Sequence, residues 1–235
     1  MRTFLGWAIL VAVLGAAAFL LAPVIARPLV ADAVRAVSPF GAAPLEVDVD
    51  ANAAGLLRGQ IAGIHVTGAN LTSTRLDIAR LDVTVSDVGI LDRSFASLSG
   101  SLESVTLRRD DGTDIRARDI KLSGPSTAVE ATATVARDAA LEIVRRALAS
   151  AGLPTEDLEL IDGGVRVSVL GQRTDVAIGA ADGAVTIAGS VAGGGQIVVF
   201  GPEPGDPWRI SGVSVSPDRL EVHALLDLGA ILRSR

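Results

Sequence analysis

Residues 81–85 read Leu-Asp-Val-Thr-Val, an alternation of apolar and polar residues with a period of two. Successive side chains of a β-strand point to opposite faces, so this stretch predicts a strand with one buried and one exposed face. The same alternation recurs before and after it, with Gly, Asn, Asp and Pro between the runs. These runs are 45–49, 64–66, 76–78, 105–107, 115–117 and 129–135. The pattern is typical of an antiparallel sheet that covers a core with one face.

Residues 137–151 interrupt the strand pattern and predict a helix. Their apolar residues recur at spacings of three and four: Ala140, Leu141, Val144, Ala147, Leu148 and Ala151. Gly152 is the expected end of this helix, and Pro154 prevents it from resuming. Strand patterns return at 165–169, 175–178, 184–187, 197–200, 210–215 and 220–222. We therefore predict an α+β fold with a long antiparallel sheet and one central helix.

The amino terminus predicts a membrane segment. No charged residue occurs between Arg2 and Arg27, a stretch of 24 residues, and a helix needs about 20 to cross the hydrocarbon core. Because a signal peptide has a shorter apolar region of about 7–15 residues, we favour an uncleaved signal-anchor at residues 1–26 over a cleaved signal peptide. A buried core helix is the third interpretation.

The rest of the chain follows from this anchor. Residues 27–37 predict a short connecting amphipathic helix, and residues 38–235 are expected to form a single domain, since no low-complexity segment or long linker divides them. An anchor at the extreme amino terminus normally leaves the larger part outside the cytoplasm. We expect a single-pass protein of the cell membrane with its main domain extracytoplasmic.

The composition argues against several classes of site. The chain has no Cys, which removes disulfides and thiolate metal ligands, and its two histidines, His65 and His223, lie far apart without ligand-spaced neighbours. The net charge of −6 argues against a nucleic-acid partner. Phosphate-binding glycine loops and the nucleophile motif G-x-S-x-G are absent from the sequence. We expect no catalytic residue, no cofactor and no metal ion.

An apolar interior is the remaining candidate site. The inward positions of the strands are mostly Val, Ala, Ile and Leu, and only one or two amphipathic helices are predicted to cover them. A partner chain, the membrane or an apolar ligand would fill any shortfall, and burial of an acyl chain gains about 0.8 kcal/mol per CH₂. The residues expected to line the site are Leu141, Val144 and Leu148 on the helix and Val83, Val85, Val167, Val169 and Ile187 on the strands. A fully packed core is the open alternative.

Several stretches carry a resemblance to a known family. They are 26–37 before the first strand, 54–69 with its Leu and Gly residues, 81–88, 105–107, 164–171 and 208–222. In this order they resemble the LmeA-type phospholipid-binding proteins of the actinobacterial cell envelope, over most of residues 26–228. The sequence departs from that pattern at Ala51-Asn52-Ala53, where the usual entry is rich in aromatic residues, and in the Pro-rich turn 201–207.

The resemblance implies a curved sheet wrapped around the helix, as in the tubular lipid-binding superfamily. It also implies an extracytoplasmic, membrane-associated protein that binds phospholipid. Two functions therefore stand side by side. The first is a phospholipid-binding protein that holds acyl chains between the sheet and the helix. The second is a non-catalytic structural or assembly protein of the envelope, with a fully packed core and an envelope protein as its partner.

Overall fold

The computed structural model describes residues 40, 45–51, 55, 58–92, 94–108, 114–153, 157–169, 171–189, 195–202 and 205–233. Within these residues the strands and helices are, in chain order, β1 (Leu45–Asp50), β2 (Gln60–Thr72), β3 (Leu76–Gly89), β4 (Ser94–Arg108), β5 (Asp114–Pro125), β6 (Val129–Ala136), α1 (Arg137–Ser150), β7 (Leu158–Ile161), β8 (Gly164–Val169), β9 (Gln172–Ala181), β10 (Ala184–Ala188), β11 (Gln196–Phe200), β12 (Trp208–Ser216), β13 (Arg219–Leu226) and α2 (Leu228–Arg233). The predicted anchor 1–26 and the predicted helix 27–37 lie outside the described residues.

The strands confirm the antiparallel sheet and the helix of the predicted fold, and the curvature of the sheet around that helix stays a prediction. Every strand pair whose register is described is antiparallel. The long helix α1 occupies Arg137–Ser150, where the apolar spacing predicts a helix over 137–151. The described part of the protein is therefore an α+β fold dominated by antiparallel sheet.

The chain forms two compact units. Among the described residues, unit 1 comprises those from Phe40 to Asp114, from Asp119 to Ala131 and from Leu226 onward, and unit 2 comprises those of Ile115–Arg118 and Thr132–Leu225. Strands β5, β6 and β13 therefore contribute residues to both units. The prediction of a single domain over 38–235 stays a prediction.

Unit 1 is built on neighbouring strands in the order β1-β2-β3-β4-β5-β6. Strands β2, β3 and β4 are 13, 14 and 15 residues long, whereas a usual strand has about five or six. Their register places Val66 opposite Val83, and Val83 opposite Gly100. One face of these strands carries buried aliphatic side chains, and the other carries exposed polar ones such as His65 and Asp82.

The buried face of unit 1 stays continuous although the strand alternation shifts twice. The buried residues of β3 are Leu76, Ile78, Leu81, Val83, Val85 and Val88. Their spacing is two residues except at 78–81 and 85–88, where it is three. Strands β2 and β4 shift at the same registers, with buried residues at Ile61, Ile64, Val66 and Leu71 in β2 and at Phe95, Leu98, Leu102, Val105 and Leu107 in β4.

We call these aligned shifts the kink lines of unit 1. The first crosses β2, β3 and β4 at residues 62, 87 and 96, and the second crosses them at 70, 79 and 104. Positive φ angles at Asn70, Asp87 and Ser104 mark the two lines. Because all three strands shift together, the side chains on the buried face remain opposite one another. A local irregularity of this kind bends the strand that carries it.

Unit 2 contains a five-stranded sheet in the order β11-β10-β9-β8-β7. It also contains β12 and most of β13, which follow β6 in an eight-stranded sheet of the order β1-β2-β3-β4-β5-β6-β13-β12. The turns between β7 and β8 and between β9 and β10 lie at the same end of this sheet. Strand β12 crosses that end: the Ile210 amide donates to the Gly183 carbonyl (2.8 Å), and the Gly163 amide donates to the Val215 carbonyl (3.0 Å). Backbone groups of Ile210 and Val215 on the edge of β12 thus find hydrogen-bond partners in the two turns.

Helix α1 belongs to unit 2 and contacts β7 and β11, the two edge strands of the five-stranded sheet. Its last residue is Ser150, and the predicted stop Gly152 follows two residues later with a φ of +77°. The Gly152 amide donates to the Ala149 carbonyl (3.0 Å), and the Leu153 amide donates to the Leu148 carbonyl (2.9 Å). This is the Schellman arrangement, which satisfies the last carbonyls of a helix.

Candidate functional site

The helix side of the predicted apolar site lies in the interior of unit 2. Val144 and Leu148 are buried, together with Ala140 and Ala147, whereas Leu141 is half-buried. The predicted stripe is therefore correct over its centre. Ala151, which the pattern assigns to the same stripe, is exposed because the helix ends before it.

Three of the predicted strand residues also belong to unit 2. Val167 lies on β8 opposite Leu158 and Thr174, and Ile187 lies on β10 opposite Ile178 and Ile197. Both side chains are 0% exposed. The third residue, Val169, is the last residue of β8 and pairs with Gln172. All three lie on the sheet whose edge strands contact α1.

The five-stranded sheet of unit 2 is covered on both faces at strand β10. Three consecutive residues of β10, Val185, Thr186 and Ile187, are buried, and consecutive strand residues point to opposite faces. Helix α1 contacts the sheet at β7 and β11, and strand β12 contacts it at β7, β9 and β10. Val167 and Ile187 therefore lie in an interior that is closed to solvent.

Val83 and Val85, the other two predicted residues, lie on β3 in unit 1. Val83 is 0% exposed and Val85 is 1% exposed. Val85 lies opposite Ile64 on β2 and Leu98 on β4, so each of these valines is surrounded on its own sheet by aliphatic side chains. The structure thus places the predicted residues in two separate groups, two in unit 1 and six in unit 2.

The predicted lining residues include only two from the aliphatic face of unit 1, Val83 and Val85. Its largest fully buried side chains are Ile64, Leu71, Leu76, Ile78, Leu81, Leu98 and Leu102. The two buried polar residues of the described chain, Ser168 and Thr186, both belong to unit 2. Among its described residues, the buried side chains of unit 1 are therefore all apolar, and the half-buried Asp77 adds one carboxylate oxygen, Oδ1, that is shielded from solvent without a hydrogen-bond partner. Ile64, Leu76, Ile78 and Leu81 lie in the predicted strand runs. The three-residue spacings at the kink lines hide the others, Leu71, Leu98 and Leu102, from a search for strict alternation.

The two histidines lie on exposed surfaces. His65 Nε2 is 3.0 Å from Asp82 Oδ1, and both side chains are about half exposed. His223 Nδ1 is 3.1 Å from the Thr132 hydroxyl, also in an exposed position. Within the described residues no group of three or more His, Asp or Glu side chains is arranged to hold a metal ion.

The perturbed carboxylates are members of surface ion pairs. The side-chain hydrogen bond from Arg145, followed by that from Arg146, lowers the pKa of Glu142 on α1. Arg166 on β8 donates two hydrogen bonds to Asp175 on β9, from Nε to Oδ1 (2.8 Å) and from Nη2 to Oδ2 (3.1 Å). Hydrogen bonding from Arg166 lowers the pKa of Asp175. Both carboxylates are thus held in the ionised form, which suits a structural role better than proton transfer.

Comparison with known proteins identifies no relative. No family model matches this sequence, and no curated protein or solved structure is significantly similar to it. Within the described part of the chain, no helix combines the length and the hydropathy that a membrane crossing requires.

Proposed function

We propose that this protein is a membrane-tethered, extracytoplasmic phospholipid-binding protein of the cell envelope, and that its apolar interior holds acyl chains. The observation that carries the proposal is the buried face of unit 1, which is lined by aliphatic side chains across neighbouring long strands. Val83 and Val85 lie near its centre. The pattern resemblance to the LmeA-type proteins points in the same direction.

The chemistry of this face suits hydrocarbon. Its side chains are Val, Leu and Ile with a few Phe, and no charged group of unit 1 is among the buried side chains of the described residues. Contact with a methylene chain would satisfy such a lining, because burial of each CH₂ is favourable by about 0.8 kcal/mol. A phospholipid headgroup would then remain at the exposed, charged margin of the sheet.

The second candidate is a structural or assembly protein with a packed core. It is favoured by the closure of the interior, since Val83, Leu102, Val167 and Ile187 are all 0% exposed. An acyl chain could reach these side chains only if the strands that carry them moved apart from the groups that now exclude solvent. The two candidates therefore differ in one measurable property, which is whether lipid reaches the inward side chains.

Photo-crosslinking of the full chain in its own membrane separates the two functions. Cells are fed a fatty acid that carries a photoreactive group, so that the label enters the phospholipids. After irradiation, the crosslinked peptides are identified by mass spectrometry. A phospholipid-binding protein is expected to give crosslinks on peptides from β3, β4 or α1. Crosslinks confined to residues 1–26 would contradict the proposal, because they report only lipid around the anchor.

A matched pair of variants sharpens this experiment. Val83→Phe fills the interior from β3, whereas Thr84→Phe places the same ring on the opposite face of the same strand. If acyl chains occupy the interior, Val83→Phe reduces the crosslinks on β3 and β4, and Thr84→Phe does not. If the core is solid, Val83→Phe instead lowers the free energy of unfolding by about 1–3 kcal/mol through overpacking, and neither variant has lipid to lose.

A further inference from the structure

The end of the β3–β4 hairpin displays an exposed leucine. Leu91 is 80% exposed, and the only other large hydrophobic side chain exposed among the described residues is Val198, at 62%. By contrast, the large aliphatic side chains of β3 and β4 that face the interior are almost fully buried. An isolated exposed leucine is common on protein surfaces, so its position and surroundings decide its meaning.

Leu91 is held outward by the neighbouring loop. The Ile90 amide donates a hydrogen bond to the Gly59 carbonyl (2.7 Å), which ties the turn after β3 to the residue before β2. The Leu91 side chain lies against Gly59, where a Cβ atom would come within 2.8 Å of Leu91 Cγ. Because Gly59 leaves no side chain there, Leu91 occupies that surface and stays at the end of the hairpin.

Charged groups flank this apolar end. Arg58 precedes Gly59 and is exposed, and Asp92 follows Leu91 and is also exposed. The arrangement of an apolar side chain between a cation and an anion matches the interface of a phospholipid bilayer, where phosphates and cationic headgroup amines border the acyl region. We call Arg58, Gly59, Ile90, Leu91 and Asp92 the hairpin tip.

The predicted anchor leaves enough chain for the hairpin tip to reach the bilayer. Thirteen residues, 27–39, separate the predicted anchor from Phe40, the first described residue, and they span at most about 45 Å when extended. Leu45 pairs with Gly68, which lies eight residues along β2 from Gln60, or about 26 Å from the tip. The tether is therefore longer than the distance from the start of β1 to the hairpin tip.

We propose that the hairpin tip docks on the surface of a phospholipid bilayer and inserts Leu91 among the acyl chains. The proposal rests on the proposed membrane tether and extends it: the protein would touch its membrane at two places, the anchor and this tip. Such a contact would direct one end of the long strands of unit 1 toward the lipid.

The absence of Cys from the sequence makes a site-specific test direct. Single variants Leu91→Cys, Thr72→Cys and Val198→Cys of the full chain carry an environment-sensitive fluorophore and are reconstituted in phospholipid nanodiscs. Thr72 is an exposed residue at the opposite end of β2, and Val198 is the other exposed hydrophobic residue. Bilayer docking predicts that only the label at 91 is quenched by nitroxide-bearing lipids and protected from aqueous iodide.

A second set of variants measures the contribution of the leucine. The label is placed at position 92 by Asp92→Cys, in chains with Leu91, Leu91→Ile or Leu91→Asp. Burial of a leucine side chain favours apolar surroundings by a factor on the order of ten to one hundred. Leu91→Asp is therefore expected to reduce the lipid-quenched fraction at least roughly tenfold, and Leu91→Ile is expected to preserve it.

Each outcome bears on a separate claim. One outcome is that, in a chain that stays with the nanodisc, iodide quenches the label at 91 as strongly as the label at 72. That result would contradict the docking of the hairpin tip on the bilayer, but not the predicted anchor or the proposed interior lipid site. A chain that does not stay with the nanodisc overturns both the tip and the membrane tether.

Discussion

One arginine on the exposed surface of unit 2 forms ion pairs between neighbouring strands. Arg166 on β8 binds Asp175 on β9 through two hydrogen bonds and approaches Glu159 on β7 at 3.7 Å. A single guanidinium thus joins three adjacent strands. Surface ion pairs contribute little to stability on average. The effect of the Arg166–Asp175 pair is therefore best measured as a change in the pKa of the Asp175 carboxyl.

The pKa of Asp175 provides that measurement. The hydrogen bond from Arg166 lowers this pKa. The Arg166–Asp175 pair therefore stabilises the fold at pH values above the unfolded-state pKa, and this stabilisation is lost as the pH falls through the folded-state pKa. Replacement Arg166→Gln is expected to raise the pKa of Asp175 back toward the ordinary value of an aspartate, as followed by NMR titration of its carboxyl carbon. The pKa of Asp218, which the Ser216 hydroxyl lowers, serves as the control and should not change.

At the scale of elements, the close approach of β3 and β4 depends on Gly100. A Cβ atom at this position would collide with the Asp82 carbonyl oxygen and would come within 2.7 Å of Val83 Cα. We expect Gly100→Ala to lower the free energy of unfolding by about 1–3 kcal/mol, because the two strands must separate. Gly63→Ala on β2 is the matched control, since its nearest neighbour is the Val85 carbonyl oxygen at 3.7 Å.

Urea unfolding of the full chain in detergent, followed by circular dichroism, compares these two alanines. Gly63→Ala is expected to be neutral or to stabilise by about 0.4–1 kcal/mol, because it restricts the unfolded chain. Equal effects of the two substitutions would show that the contact at Gly100 does not determine the spacing of the strands.

Element by element, the sequence predicts some parts better than others. Leu81–Val85 alternates strictly and was correctly interpreted as a strand, and helix α1 follows from its apolar spacing and Gly152. The kink lines explain the failures. They divide β3 into two apparent runs, 76–78 and 81–85. They also give Phe95, Leu98, Leu102 and Val105 spacings of three and four, so that only 105–107 of the fifteen-residue strand β4 resembles a strand.

The predicted site shows the same limit. Val144 and Leu148 are buried because helical periodicity alone identifies the inward face of α1. The neighbours of Val83 and Val85 depend on the register of β2 and β4, which the hydrogen bonds of the sheet determine and the sequence does not reveal locally. The separation into two units leaves no trace in composition, since similar alternating runs continue through both.

At the scale of the whole molecule, the expected membrane topology makes a direct prediction. Because the native chain lacks Cys, Thr72→Cys introduces one exposed thiol into the domain. If the domain is extracytoplasmic, a membrane-impermeant maleimide is expected to label this variant in intact cells as completely as in lysed cells. Labelling only after lysis would contradict the predicted orientation, and loss of the protein from membranes at high pH would contradict the uncleaved anchor.

The kink lines have a consequence for how such a chain tolerates changes of length. Insertion of one residue into β3 at its second kink would turn the remaining side chains of that strand over, so that Leu76 and Ile78 would face water. The side chains of β2 and β4 would keep their orientation, so the aliphatic side chains of the three strands would no longer share one face of the sheet. Repair requires the same insertion in both neighbours. Gains and losses of single residues in these three strands should therefore occur jointly, while the turns between them remain free to vary.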